Sequence, residues 1–231
     1  MKRSAIRNWA EYLLARLVIG AIRFAPRPVA AWLARGVTLC LDLLVPRLRS
    51  VALRNLEIAF PEISWCPIPN IGNRVVGYIE RWQLDAICLT GGDDIGEHTA
   101  RDETERALLA HCFANGMPTL GVCRGAQRIW TALGGALKAI DGHAGTSHKV
   151  TLNAEIARTS ASTAVNSFHH FGLDASSVPE SLTCIACAED GSIEAVLGEQ
   201  PRVLGLMWHP ERMPTPEAID VQLIRWLFGH D

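Results

Sequence analysis

Pro118-Thr119-Leu120-Gly121-Val122-Cys123-Arg124-Gly125-Ala126-Gln127 decides how the rest of the chain is read. Residues 119–122 have the length and apolar character of a buried strand. Residues 125–133, closed by Gly134 and Gly135, have the pattern of a helix. A cysteine stands at the join, with a glycine two residues to either side. This G-x-C-x-G spacing is the cysteine form of the nucleophile elbow, a sharp strand-to-helix turn that holds a reactive side chain clear of the backbone. The glycines let the neighbouring chain pass without a side-chain clash. The thiol then projects over a helix N-terminus, where the helix dipole favours thiolate and predicts a lowered Cys123 pKa. The competing reading is a structural cysteine buried between a strand and a helix.

Outward from the elbow, short apolar runs alternate with helical patterns. Residues 84–89 read as a strand that feeds the turn Thr90-Gly91-Gly92-Asp93, and residues 101–115 as a helix with acidic residues early and Gly116 at its end. Further strands are expected at 150–152, 181–188, 193–196 and 203–207. A terminal amphipathic helix is expected at 216–228, with Thr215 as N-cap and Pro216 at its first position. Such alternation predicts an α/β domain, a mostly parallel sheet flanked by helices.

A thiol nucleophile needs a proton acceptor. His209 follows the strand at 203–207 and is followed by Pro210 and Glu211. On extended chain, residues two apart share a side, so Glu211 can reach one ring nitrogen and fix the tautomer while the other faces the thiol. Alone, His-Pro-Glu reads more readily as a surface turn; the elbow makes the catalytic reading the better one. An oxyanion hole is expected from a backbone N–H near Gly92 and from that of Arg124, with a plain Gly-Gly turn as the alternative. Cys184 and Cys187 form a C-x-x-C in an apolar run, with no second pair to complete a zinc site and no redox context. No metal and no organic cofactor is expected.

The N-terminal quarter has another character. Residues 1–57 carry ten basic residues against Glu11, Asp42 and Glu57, a balance of +7, whereas the remainder holds twelve basic against 21 acidic, a balance of −9. Two pieces with different surroundings are implied, 1–63 and 64–231. In residues 5–24 apolar positions recur at helical spacing, but Arg16 and Arg23 leave no run long enough to span a bilayer. A basic amphipathic helix on a membrane surface and a helix packed on a soluble core are equally good readings. Basic surfaces also meet nucleic acid, but no nucleic-acid partner is expected. Seven scattered cysteines and no secretory cleavage pattern suggest a reducing cytoplasmic setting, with peripheral inner-membrane contact through 1–63 if the lipid reading holds.

Six blocks in order, L-T-G-G-D-D-I (89–95), R-D-E-T-E (101–105), P-T-L-G-V-C-R-G-A-Q (118–127), V-N-S-F-H-H (165–170), D-G-S-I-E-A (190–195) and G-L-M-W-H-P-E (205–211), resemble the class I glutamine amidotransferase family. They come nearest its peptidase C26-like γ-glutamyl hydrolase branch, which includes γ-glutamyl-γ-aminobutyrate hydrolases. V-N-S-F-H and G-x-M-W-H also resemble hydrolases of γ-glutamyl nucleotide amidates. The resemblance covers about 64–228 and implies a flavodoxin-like amidotransferase fold. It implies a Cys123, His209, Glu211 triad, Gln127 against the glutamyl group, and the chain at Ser167 and Phe168 around the α-amino and α-carboxylate ends. His169 either helps form that pocket or is a structural histidine. Residues 12–63, with R-N-L-x-x-A-F-P-E (54–62), resemble instead the N-terminal part of lipid A lauroyl-type acyltransferases. His169 and Asp174 meet the H-x4-D spacing of those enzymes, but inside a block that belongs to the other family. This helical appendage stands where amidotransferases begin with a strand, so the sheet is expected to lack its first strand.

The function expected is hydrolysis of a small γ-glutamyl amide through a cysteine thioester. One alternative is a glutaminase module that supplies ammonia to a partner synthase. Another is an inactive membrane-associated fusion remnant.

Overall fold

The structure, a computed structural model, describes residues 64–153, 162–213 and 217–229. They belong to the unit that runs from Ser64 onward. The segment 1–63 lies outside the described residues, and with it the expected amphipathic helices, the acyltransferase resemblance and the membrane reading. Thr215 and Pro216 also lie outside. Among the described residues no helix is long and apolar enough to cross a membrane.

Nine strands form one sheet among the described residues: β1 (Ile87–Leu89), β2 (Thr119–Val122), β3 (Leu137–Ala139), β4 (Ala144–Leu152), β5 (Ser162–Phe168), β6 (Phe171–Leu173), β7 (Thr183–Ala188), β8 (Ile193–Glu199) and β9 (Arg202–Leu206). Their main order is β1-β2-β9-β8-β7-β4-β5, with β6 on β8 and β3 on β6. Four helices accompany them: α1 (Val75–Trp82), α2 (Thr99–Ala114), α3 (Arg124–Ala132) and α4 (Ala218–Phe228). The α/β class and the flanking helices are as expected.

The parallel share of the sheet is smaller than expected. Only β1, β2 and β9 run parallel, and the other pairings are antiparallel. The reason lies in the connections. Gln200 and Pro201 alone join β8 to β9, and four residues, Glu189 to Ser192, join β7 to β8. Links this short close only antiparallel pairs; a parallel crossover takes a dozen residues or more. Gly191, at φ +82°, lets the second of these chains reverse. The three-residue strands β3 and β6 carry no sequence pattern that announces them; helix α1 does, in the buried Val75 and Ile79 at i and i+4, but is not among the expected elements.

Within the described residues β1 pairs on one side only, with β2. Buried side chains from α1, α2 and α3 cover this end of the sheet: Val75 and Ile79, Leu108 and Cys112, Ile129 and Trp130. Helix α4 begins at Ala218, with Glu217 as N-cap in extended conformation. It is docked by the buried Trp208 indole N–H, which donates to Asp220 Oδ1 at 2.9 Å. Burial raises the Asp220 pKa, against the Trp208 bond that lowers it.

Candidate active site

Cys123 joins β2 to α3 with φ +51° and ψ −106°, a left-handed conformation that an ordinary residue adopts at a cost of about 1–3 kcal/mol. Its surroundings hold it there. The Cys123 N–H donates to Leu206 O at 2.6 Å, and its carbonyl accepts from the Gln127 N–H at 3.1 Å. The flanking glycines are required by close approach. A Cβ on Gly121 would lie 2.5 Å from the Gly125 carbonyl carbon, and one on Gly125 would lie 2.0 Å from Leu89 O. The turn therefore has the geometry of an elbow, with α3 pressed against β1.

β2 and β9 are parallel neighbours, with Val122 opposite Leu206. The elbow and the turn after β9 thus emerge at the same, C-terminal end of the sheet, where open α/β sheets place their ligands. That second turn carries His209, buried to 2% exposure. His209 Nδ1 lies 2.6 Å from Glu211 Oε1. The contact is made through a 3-10 turn at Pro210–Arg212, not by alternation along a strand as the sequence suggested. Gly91 faces the other side of the ring: a Cβ there would lie 2.7 Å from His209 Cε1.

Asn166 on β5 grips His209 from both ends of its backbone. Asn166 Oδ1 accepts the His209 N–H at 2.9 Å, and Asn166 Nδ2 donates to His209 O at 2.9 Å. Phe168 meets the His209 ring edge-on at 5.5 Å between centroids. The Arg212 guanidinium lies over Phe168, 4.3 Å from the ring centre. Sequence reasoning gave Asn166 no role.

The two segments expected to form the oxyanion hole share one buried ion network. Arg101 donates to the carbonyls of Thr90 at 2.8 Å and Gly91 at 3.2 Å, and through Nε to Glu105 Oε1 at 2.7 Å. The Arg124 guanidinium, 2% exposed, donates to the other oxygen of Glu105 and to Asp102 Oδ1 at 2.5 Å. Gly92, at φ +151°, packs on Arg101, whose Nη1 would be 2.3 Å from a Cβ. The block 101–105 thereby fixes the Gly91-Gly92 turn and the start of α3 relative to each other, a role its letters alone did not disclose.

The Cys123 thiol is pushed up to about 11. Burial is the main cause, with Glu211 and Asp94 adding to it; the Arg124 N–H on the sulfur and the Arg212 charge oppose it. This corrects the expectation of a thiolate. The helix N-terminus acts in the expected direction, but removing the sulfur from water outweighs it.

Other expected site residues separate into two groups. Gln127 is buried, and its side-chain N–H donates to Phe171 O at 2.8 Å. Phe168 is 43% exposed beside His209, whereas Ser167 and His169 are buried, His169 facing Glu194 at 3.7 Å. Asp174 is engaged by Ser176, accepting from its N–H at 3.0 Å and its hydroxyl at 2.9 Å. Cys184 and Cys187 bring their sulfurs to 3.2 Å on the bulged strand β7.

Residues 73–211 match the family model described as Peptidase C26. A γ-glutamyl-CDP-amidate hydrolase of Campylobacter jejuni is 30% identical over 135 residues, covering 56% of this chain and 63% of that protein. The chain thus spans less than two thirds of that relative's own length. An anthranilate synthase component 2 of Lactococcus lactis is 27% identical over 149 residues, covering 59% of this chain and 70% of its own. A solved Thermoplasma acidophilum chain, described as belonging to a GMP synthase, has the same fold, with a TM-score of 0.57 at 20% identity over 71% of this chain and 78% of that one.

Proposed function

The chain belongs to the peptidase C26 family, and on that premise we propose that it hydrolyses a γ-glutamyl amide to glutamate and an amine through a thioester on Cys123. The observation that carries the reading is the left-handed Cys123 turn, bonded at 2.6 Å to the strand whose continuation presents His209 paired with Glu211.

Burial pushes the Cys123 thiol up, so His209 takes its proton as the sulfur attacks. Glu211 on Nδ1 leaves Nε2 for that exchange and stabilises the imidazolium that forms. The γ-carbonyl oxygen becomes an oxyanion, and backbone N–H groups near Gly92 and of Arg124 are suited to hold it. The bracing by Arg101, Glu105 and Arg124 keeps those donors from reorganising. As the C–N bond breaks, the amine leaves with the proton from His209. Water then loses a proton to His209 and attacks the thioester, and glutamate departs as the sulfur recovers its proton. Phe168 and Arg212, stacked beside His209, offer an apolar face and a cation to the substrate, while Gln127 borders the elbow from inside.

The test is glutamate release from a panel of γ-glutamyl amides by the full chain, with Cys123→Ala as control. Turnover that disappears in the variant is the expected result; turnover retained in it would refute the mechanism. Glutamine cleaved only when a synthase is added would instead identify an ammonia donor.

A further inference from the structure

Three imidazoles surround one buried carboxylate, that of Glu194. Glu194 on β8 has no exposed surface, His143 and His169 are buried, and His148 on β4 is mostly so. His143 Nδ1 lies 3.2 Å and His169 Nε2 3.7 Å from Glu194 Oε1, and His148 Nε2 lies 3.5 Å from Glu194 Oε2. The His143 ring centre is 4.5 Å from that of His148 and 5.1 Å from that of His169.

Six polar atoms of this cluster are buried without a hydrogen-bond partner: His143 Nδ1, both nitrogens of His148, both of His169, and Glu194 Oε2. Each such atom costs roughly 1–3 kcal/mol when left unsatisfied. An imidazolium–carboxylate pair does not explain them. Such pairs close to about 2.7–2.9 Å, and His209 with Glu211 does so in this same chain, at 2.6 Å. None of the three contacts to Glu194 is that short. The two that share Oε1, from His143 and His169, match the edges of a coordination polyhedron instead. Bonds of about 2.0–2.1 Å in tetrahedral array set donor atoms about 3.4 Å apart.

We propose that His143 Nδ1, His169 Nε2 and Glu194 hold a divalent zinc-class cation, with His148 beside them on the other oxygen of Glu194. The donor atoms of the first three already lie within 4.8 Å of one another. Imidazole and carboxylate together suit such an ion. The surroundings of His143 point the same way. Its Nε2 is 2.9 Å from Asp190 Oδ2, and Asp190 is itself fixed by the Ser192 N–H at 2.9 Å and the Ser192 hydroxyl at 2.6 Å. A carboxylate on the outer nitrogen turns the inner one toward the metal and raises its basicity. The three ligands tie the chain after β5 and the segment that enters β4 to β8. Glu194 O also accepts the Met207 N–H at 2.8 Å, two residues before His209. The absence of a metal expected from the sequence rested on the C-x-x-C alone, which is elsewhere.

The experiment is equilibrium dialysis of the chelator-stripped full chain against Zn2+, and separately against Co2+ followed by its visible spectrum. We expect one equivalent bound, with tetrahedral Co2+ bands and no thiolate charge-transfer band. Glu194→Gln abolishes binding. Asp190→Asn, a half-exposed position that leaves every ligand in place, weakens it about 10–100-fold; this variant carries the test if Glu194→Gln does not fold. Cys123→Ala and Cys184→Ser leave stoichiometry unchanged, so the result is independent of hydrolase activity. No bound metal in the wild-type chain, a thiolate band, or wild-type affinity in Asp190→Asn would overturn the proposal.

Discussion

Replacing Asn166 by alanine removes the clamp on His209 without touching any group proposed to react. Two hydrogen bonds are lost, His209 N–H to Oδ1 and Nδ2 to His209 O, both 2.9 Å. At about 1 kcal/mol for each bond, plus the penalty for leaving part-buried backbone groups unpaired, the loss comes to about 2–4 kcal/mol. For a chain of this size that lowers Tm by about 5–12 °C. The catalytic consequence is separate. A His209 backbone free to shift by about 1 Å places the imidazole badly, which costs on the order of 100-fold in kcat. Asn166→Asp sharpens the experiment. It can still accept the His209 N–H but sets a carboxylate against the His209 carbonyl, so it should fall nearer the alanine variant than the wild type. The assays are thermal unfolding and steady-state glutamate release on the best γ-glutamyl substrate. Wild-type kcat with a lowered Tm would show that Asn166 only stabilises the fold; no change in either would refute the clamp.

Two more predictions follow from the same geometry. Gly125→Ala places a Cβ 2.0 Å from Leu89 O, a backbone atom that cannot swing aside, so α3 must separate from β1; urea unfolding should show a loss of about 2–4 kcal/mol and glutamate release should be lost with it. Burial raises the thiols of Cys112 and Cys123 from 9.0 to about 11, so between those pH values the folded chain keeps protons that the unfolded chain has released. Stability should therefore fall progressively from pH 9 to 11 and be indifferent to these groups below 9, with a shallower fall in Cys112→Ala; an equal slope in that variant would contradict the assignment.

Several elements could be read directly from the chain because their signals are local. The strand Thr119–Val122 is located to the residue, since a short, mostly apolar run between Pro118 and a glycine-flanked cysteine leaves little choice. Helix α2 was found within two residues at its start and one at its end, because an acidic first turn and Gly116 punctuate it. By contrast, β5 carries Asn166 and Ser167 inside a strand, and β3 is three residues long with one half-buried. Pairing partners alone make such segments into strands, and partners distant in sequence leave no periodic trace.

The candidate site divides along the same line. Spacing nominated Cys123, His209 and Glu211 as candidates, because a cysteine on a glycine-flanked turn and a histidine beside a carboxylate are properties of short stretches. Only the tertiary structure decided that burial raises the Cys123 thiol, that Asn166 grips His209, and that Glu105 links Arg101 to Arg124. It alone gathered His143, His148 and His169 around Glu194. Desolvation and close contact depend on what lies across the fold from a side chain. Asn166 and His209, or His143 and Glu194, stand far apart along the chain and meet only when the strands pair, so no window of sequence contains the information.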